Sequence, residues 1–171
     1  MATNELEMFL KTWNREAEGT LKLMRALPAT QYDFRPDAGG RSLGELAWHL
    51  AEGDAYMSQF VDTGKFDMGT KPPNIERPRT VEALAPGFER VHKEAVARIE
   101  KLKPEDLDRT LTFFNGQQMP IRTILWDMIF AHGIHHRGQL ALMCRLAGGQ
   151  CPGLYGPNRE EMAAMRANAG A

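Results

Sequence analysis

Cross-linking sulfur is nearly absent from this sequence. Its 171 residues hold two cysteines, Cys144 and Cys151, too few for a disulfide framework, and both read as free thiols. Long apolar runs are missing too: no stretch approaches the roughly 18 residues of a membrane span, so no membrane partner is expected. Charge of one sign is not in excess. Lys and Arg number 21 against 22 Asp and Glu, for a formal net charge of −1 and a pI of about 6.5. That balance leaves no electrostatic footprint for nucleic acid. The opening residues, Met1 to Glu7, are acidic and lack the apolar core of a signal peptide, so a cytoplasmic chain is expected. Internal repeats and low-complexity tracts are also lacking.

What is present has the ordinary balance of a globular protein, 43% hydrophobic and 25% charged, in a length that favours one domain over residues 1–171. Residues 5 to 27 place Leu6, Leu10, Trp13, Ala17, Leu21 and Met24 at steps of three and four, the stripe of an amphipathic helix, which Pro28 ends. Ser42 and Glu45 have the form of a capping box. The second helix that starts there turns Leu43, Leu46, Leu50, Met57 and Val61 inward and frays near Gly64. Residues 65 to 79, with Pro72, Pro73 and Pro78, have no period and are long for a loop between packed helices. A third helix is predicted from about Thr80 to Leu102, bent or delayed by Pro86. Thr110 to Phe113 alternates and Asn115-Gly116 signals a β-hairpin. Pro120 fits the first turn of a fourth helix reaching about Ala147, where Gly148 and Gly149 stop it. Asn158 and Glu161 cap a short terminal helix. The expected fold is all-α: a four-helix bundle with a long crossover between helices two and three, a small hairpin before helix four and a short C-terminal helix.

Three of the five histidines, His132, His135 and His136, fall within five positions of helix four. With Ile121 at zero and about 100° per residue, Leu125 and Met143 lie near about 40°, His132 near about 20° and His136 near about 60°. On the same count His135 is near about 320° and Gln139 near 0°, while Arg137 points away near about 160°. His132 and His136, one turn apart on the buried face, can converge on one ion, as in the His-Glu-x-x-His helix of zinc proteases. Gly133 stands where those enzymes carry their glutamate, which excludes the protease reading. A catalytic metal typically takes three protein ligands and an open position. His49, on the flank of the helix-two stripe with Gly53 one turn later, can supply the third. His92 reads as a boundary residue, and His135 as a structural neighbour or a support to the ligands. Glu52 and Asp54, about 60° and about 140° round the helix from His49, do not share its direction, so no acid–base residue is assigned.

The stretch Ser42-Leu43-Gly44-Glu45-Leu46-Ala47-Trp48-His49, followed by His132-x-x-His135-His136-Arg137-Gly138-Gln139, resembles the DinB-like family of metalloenzymes over nearly the whole chain. The resemblance implies a divalent transition metal (zinc, nickel or iron) held by His49, His132 and His136, and a homodimer. It further implies kinship with transferases and isomerases that use low-molecular-weight thiols, in which the metal stabilises the thiolate. The expected function is a thiol S-transferase acting on a small-molecule electrophile. The alternative is a non-catalytic metal-binding, stress-associated bundle protein. An apolar mouth at the histidines would favour the enzyme, and a sealed site with a fourth protein ligand the alternative.

Overall fold

The computed structural model describes residues 4–67 and 69–169; Met1 to Thr3 of the acidic N-terminus, Met68 in the crossover and the last two residues lie outside them. The elements are α1 (Glu5–Arg25), α2 (Leu43–Thr63), α3 (Leu84–Ile99), a short 3₁₀ turn (Pro104–Asp108), β1 (Thr110–Thr112), β2 (Gln118–Pro120), the long helix α4 and the terminal α5 (Arg159–Ala169). Helix α4 runs without interruption through Ile121–Thr123, Ile124–Ala131 and His132–Leu146. The expected all-α bundle with its hairpin and terminal helix is what is observed.

Local chemistry sets the ends. Asn4 caps α1 through its side chain on the Glu7 N–H, and Ser42 with Glu45 completes the predicted capping box of α2. Gly64, at φ +72°, closes α2 in the left-handed conformation that glycine takes without a Cβ penalty. Helix α3 starts at Leu84, later than the Thr80 expected. Pro86 therefore falls in the first turn, where its missing N–H costs nothing. The hairpin pairs Thr110 with Pro120 and Leu111 with Met119. Its turn donates from Gly116 to the Phe113 carbonyl, with Gly116 at φ +82°. Pro120 ends β2 and caps α4 from outside its first turn.

In cross-section α1 lies beside α3 and α4, and α2 lies beside α3 and α4, so consecutive helices α1 and α2 sit on a diagonal. Helices α2 and α3 run parallel: Asp54 meets His92, Ser58 meets Arg98 and Asp62 meets Lys101. Parallel neighbours need a return connection along the bundle, and residues 65 to 83 supply it. Side-chain hydrogen bonds to its carbonyls help to fix that crossover. The Trp48 indole donates to the Ile75 carbonyl at 3.1 Å, and the Tyr32 hydroxyl to the Pro78 carbonyl at 2.5 Å.

The interior divides into two apolar clusters, one around Trp48, Leu43, Met24 and Leu140, the other around Phe9, Phe60, Ile99 and Ile121. Between them, near mid-helix, lies a polar layer. Arg137 is 2% exposed and donates to the Glu16 carbonyl at 2.6 Å, to the Glu16 carboxylate at 2.5 Å and to the Tyr155 hydroxyl. Burial opposes ionisation of Glu16, but the hydrogen bonds from Arg137, Tyr155 and Arg15 together outweigh it and hold the carboxyl below its ordinary value. His92, buried rather than at a boundary, bonds the Asp54 carboxylate through Nδ1 at 2.8 Å and the Asn14 side-chain oxygen through Nε2 at 3.1 Å. It is thus satisfied structure, remote in role from the other histidines.

Candidate metal centre

The middle of α4 explains how its histidines are aimed. Residues Ile124–Ala131 form π-helical turns; the His132 N–H reaches the Asp127 carbonyl five residues back. Such turns use more residues than α-turns, and the uniform 100° count loses its phase across them. Ahead of and within them the buried residues are Ile121, Ile124, Leu125 and Ile129; after them Arg137, Leu140, Met143 and Cys144. The inward stripe thus arrives about one residue late, a rotation of roughly 100°. Arg137, expected outside, is buried, while His135 and Gln139, expected inside, are exposed. His132 and His136 move to the flank of the core, where α4 faces α2. π-Bulges of this kind are frequent at functional sites.

There the sequence-predicted trio comes together. One ring nitrogen of each of His49, His132 and His136 lies within 4.8 Å of the others. His132 Nε2 and His136 Nε2 are 3.0 Å apart, and the His49 ring centroid is 5.2 Å from that of His132 and 4.7 Å from that of His136. The three could hold a metal ion: metal–nitrogen bonds of about 2.0–2.1 Å need nitrogens a few ångströms apart. Among the described residues no fourth His, Cys, Asp or Glu joins the group.

Hydrogen bonds behind the rings fix which nitrogens point inward. The His136 Nδ1–H meets Gln139 Oε1 at 2.7 Å, and the same amide donates from Nε2 to His135 Nε2 at 3.1 Å. This leaves the His136 Nε2 lone pair free, the arrangement usual for a ligating histidine. Gln139 and His135 therefore support the site from outside. Glu52 does reach it, contrary to the angular expectation: its Oε2 lies 3.4 Å from His49 Nδ1. Residues three apart on a helix are surface neighbours, and a glutamate is long enough to close a 60° offset. Asp54 points elsewhere, to His92, as its angle implied.

The two rings on α4 are shifted toward the neutral form. Burial first, then the positive charge that His136, His49, His135 and Arg41 would add, lowers His132 from 6.5 to about 4. Burial also lowers His136, against the raising effect of its bond to Gln139. Neutral imidazole is the ligating form.

Beside the trio opens a cavity of about 300 Å³ lined by Arg41, His49, Glu52, Gly53, Tyr56, Met57, Phe66, Met128 and His132. Gly53 matters through its missing side chain: a Cβ there would stand 3.5 Å from His132 Nδ1 and take space from the cavity. Met57 comes from the predicted inward face of α2, Tyr56 from the position beside it and Met128 from α4. Phe66 comes from the aperiodic crossover, where it packs against Phe60 and Phe113. Sequence periodicity carried no signal for this wall. Cys144 and Cys151 are buried free thiols away from the site, and burial raises both.

Comparison with known proteins identifies the family and the fold. The DinB family model matches residues 1–169. The uncharacterised protein YrdA of Bacillus subtilis (strain 168) is 32% identical over 163 residues, covering 92% of each chain. The crystal structure of a DinB-like protein from Bacillus cereus ATCC 10987 superposes with a TM-score of 0.73 at 29% identity, over 91% of this chain and 100% of that one. A second DinB-like protein, YjoA of Bacillus subtilis, shares the fold with a TM-score of 0.71 at 21% identity, over 88% of this chain and 99% of its own.

Proposed function

The chain belongs to the DinB family, and from that premise we propose a metal-dependent enzyme, a low-molecular-weight-thiol S-transferase that acts on small electrophiles. The observation that carries the reading is the three-histidine donor set, without a fourth protein ligand among the described residues, beside a partly apolar cavity. Such a set suits zinc, nickel or iron. When bound, the ion would act as a Lewis acid that lowers the pKa of a thiol. The chain's own part is to orient. Glu52 and Gln139 hold the rings of His49 and His136, and Tyr56, Met57, Phe66 and Met128 offer an apolar bed that keeps water from the electrophile. In the transfer, the thiol sulfur bonds to the electrophilic carbon while the leaving group departs with its electron pair, and the thiol proton passes to solvent.

A sealed donor set would favour the alternative, a non-catalytic metal-binding protein, and the open cavity is why the enzyme is preferred. A homodimer, which rests on the family resemblance, and a cytoplasmic site of action are parts of the same proposal. No helix among the described residues is long and apolar enough to cross a membrane. The test is metal analysis of protein purified without an affinity tag, followed by thiol conjugation of a panel of electrophiles. We expect about one ion per chain, as one donor set predicts, its loss in His132→Ala and conjugation that follows the metal. Equal, negligible metal in both proteins refutes the metal centre. Conjugation that survives metal removal refutes the mechanism.

A further inference from the structure

The charged side chains at the histidine cavity are spent unevenly. Glu52 is engaged by His49 at 3.4 Å and by Arg77 at 3.8 Å. Arg35 is held by Glu45 at 2.8 Å and by the Gly40 carbonyl, and Arg77 also meets Glu45 at 3.2 Å. Arg41 lines the same cavity, yet among the described residues no carboxylate lies within ion-pair distance of it and no acceptor takes a hydrogen bond from it. A guanidinium carries five donors in a planar fork that matches a carboxylate. Glu52, the one carboxylate among the described residues that line the cavity, is already paired. The same cavity is also lined by Tyr56, Met57, Phe66 and Met128.

We propose that Arg41 anchors the carboxylate of the substrate, which is a small organic acid with an apolar chain or ring lying on Tyr56, Met57, Phe66 and Met128. This assignment rests on reading the cavity as the substrate site. Its volume, about 300 Å³, is at the lower end for ligand pockets and limits the acid to a compact one. Arg41 is exposed at the rim, so it captures the acid from solvent while the apolar wall takes the body.

Isothermal titration with phenylacetate and its neutral analogue phenylacetamide tests the assignment. The proteins are wild type, Arg41→Gln, Arg41→Lys and Phe66→Ala, with circular dichroism and metal content recorded on the same samples. Wild type should prefer phenylacetate by about tenfold, the scale of a charge-assisted hydrogen bond at a partly solvated site. Arg41→Gln should remove that preference without changing phenylacetamide affinity, Arg41→Lys should keep part of it, and Phe66→Ala should weaken both probes alike. Repeating the pair of titrations in His132→Ala separates the two readings, because a preference due to Arg41 persists there without the metal ligand. A metal-free wild type overturns the metal centre but leaves the Arg41 ratio to be judged by itself. An intact preference in Arg41→Gln, or no binding of either probe in the millimolar range, overturns the anchor.

Discussion

Replacement of Arg137 by methionine isolates the most deeply buried charge in the bundle. The side chain is 2% exposed and spends its donors on the Glu16 carbonyl, the Glu16 carboxylate and Tyr155. Methionine fills much of the same volume but leaves the Glu16 carboxylate, 9% exposed, with Arg15 at 3.0 Å as its remaining cation. Removing one partner of a buried pair costs about 3–5 kcal/mol. Because Arg15 stays, the expected loss is at the lower end, about 3 kcal/mol. Urea denaturation measures it. A double-mutant cycle with Glu16→Met should return a coupling of about 2 kcal/mol, since the second substitution removes the stranded charge. The acid limb gives an independent check. Glu16 is held below 4.5 in the folded protein, so its contribution is present above 4.5 and is lost as pH falls through the lowered folded value. Arg137→Met should flatten that limb. A loss under about 1 kcal/mol, or strict additivity in the cycle, would refute the view of this pair as a buried clamp on α4.

Two further expectations follow from the site and the crossover. In metal-stripped protein, His132 titrates at about 4 when folded and 6.5 in the reference state, so between those values the unfolded chain binds more protons and stability rises with pH, levelling above 6.5. The full shift corresponds to roughly 3 kcal/mol, and solvent screening of a half-exposed ring reduces it to about 1–2 kcal/mol. Urea titrations from pH 4 to 7.5 should show that slope in wild type and a clearly shallower one in His132→Gln, where the smaller contribution of His136 remains; matching slopes would contradict it. Gly44→Ala places a Cβ into the Tyr32 ring, the ring whose hydroxyl pins the crossover at Pro78. Overpacking there should cost about 1–3 kcal/mol and lower Tm by about 5 °C, and an unchanged melting curve would mean the ring is not fixed.

Periodicity and capping chemistry made the helices legible. The Leu6–Met24 stripe, the Ser42–Glu45 box and the Asn158–Glu161 cap each identify an element from local physics alone. The meeting of His49, His132 and His136 was legible as well, because His132 and His136 keep their one-turn relation whatever the helix does upstream. Orientation beyond them was not. The angular count assumes α-bonding throughout, and the π-turns of Ile124–Ala131 shift Arg137, His135 and Gln139 together. Nor did the sequence reveal Phe66 and Arg41 at the cavity, since both lie in connections whose course depends on remote anchors such as Trp48 and Tyr32. The diagonal placement of α1 and α2 depends likewise on the packed whole.

The wide turns ahead of His132 also make chain length a determinant of chemistry. Deleting a single residue between Ile124 and Ala131 would let that stretch relax to ordinary α-winding while the remainder of α4 kept its present facing, because one extra residue is what the wide turns absorb. Relaxing the turns with every residue kept would instead swing the remainder by about 100°, and Leu140 and Met143 could then stay in the core only if Ile121 and Ile124 gave up their places. Among related chains, a one-residue gap at this point would thus leave the same side chains facing α2, whereas the same length wound as plain α-helix would not. Spacing, and not only residue identity, carries the specification of the centre.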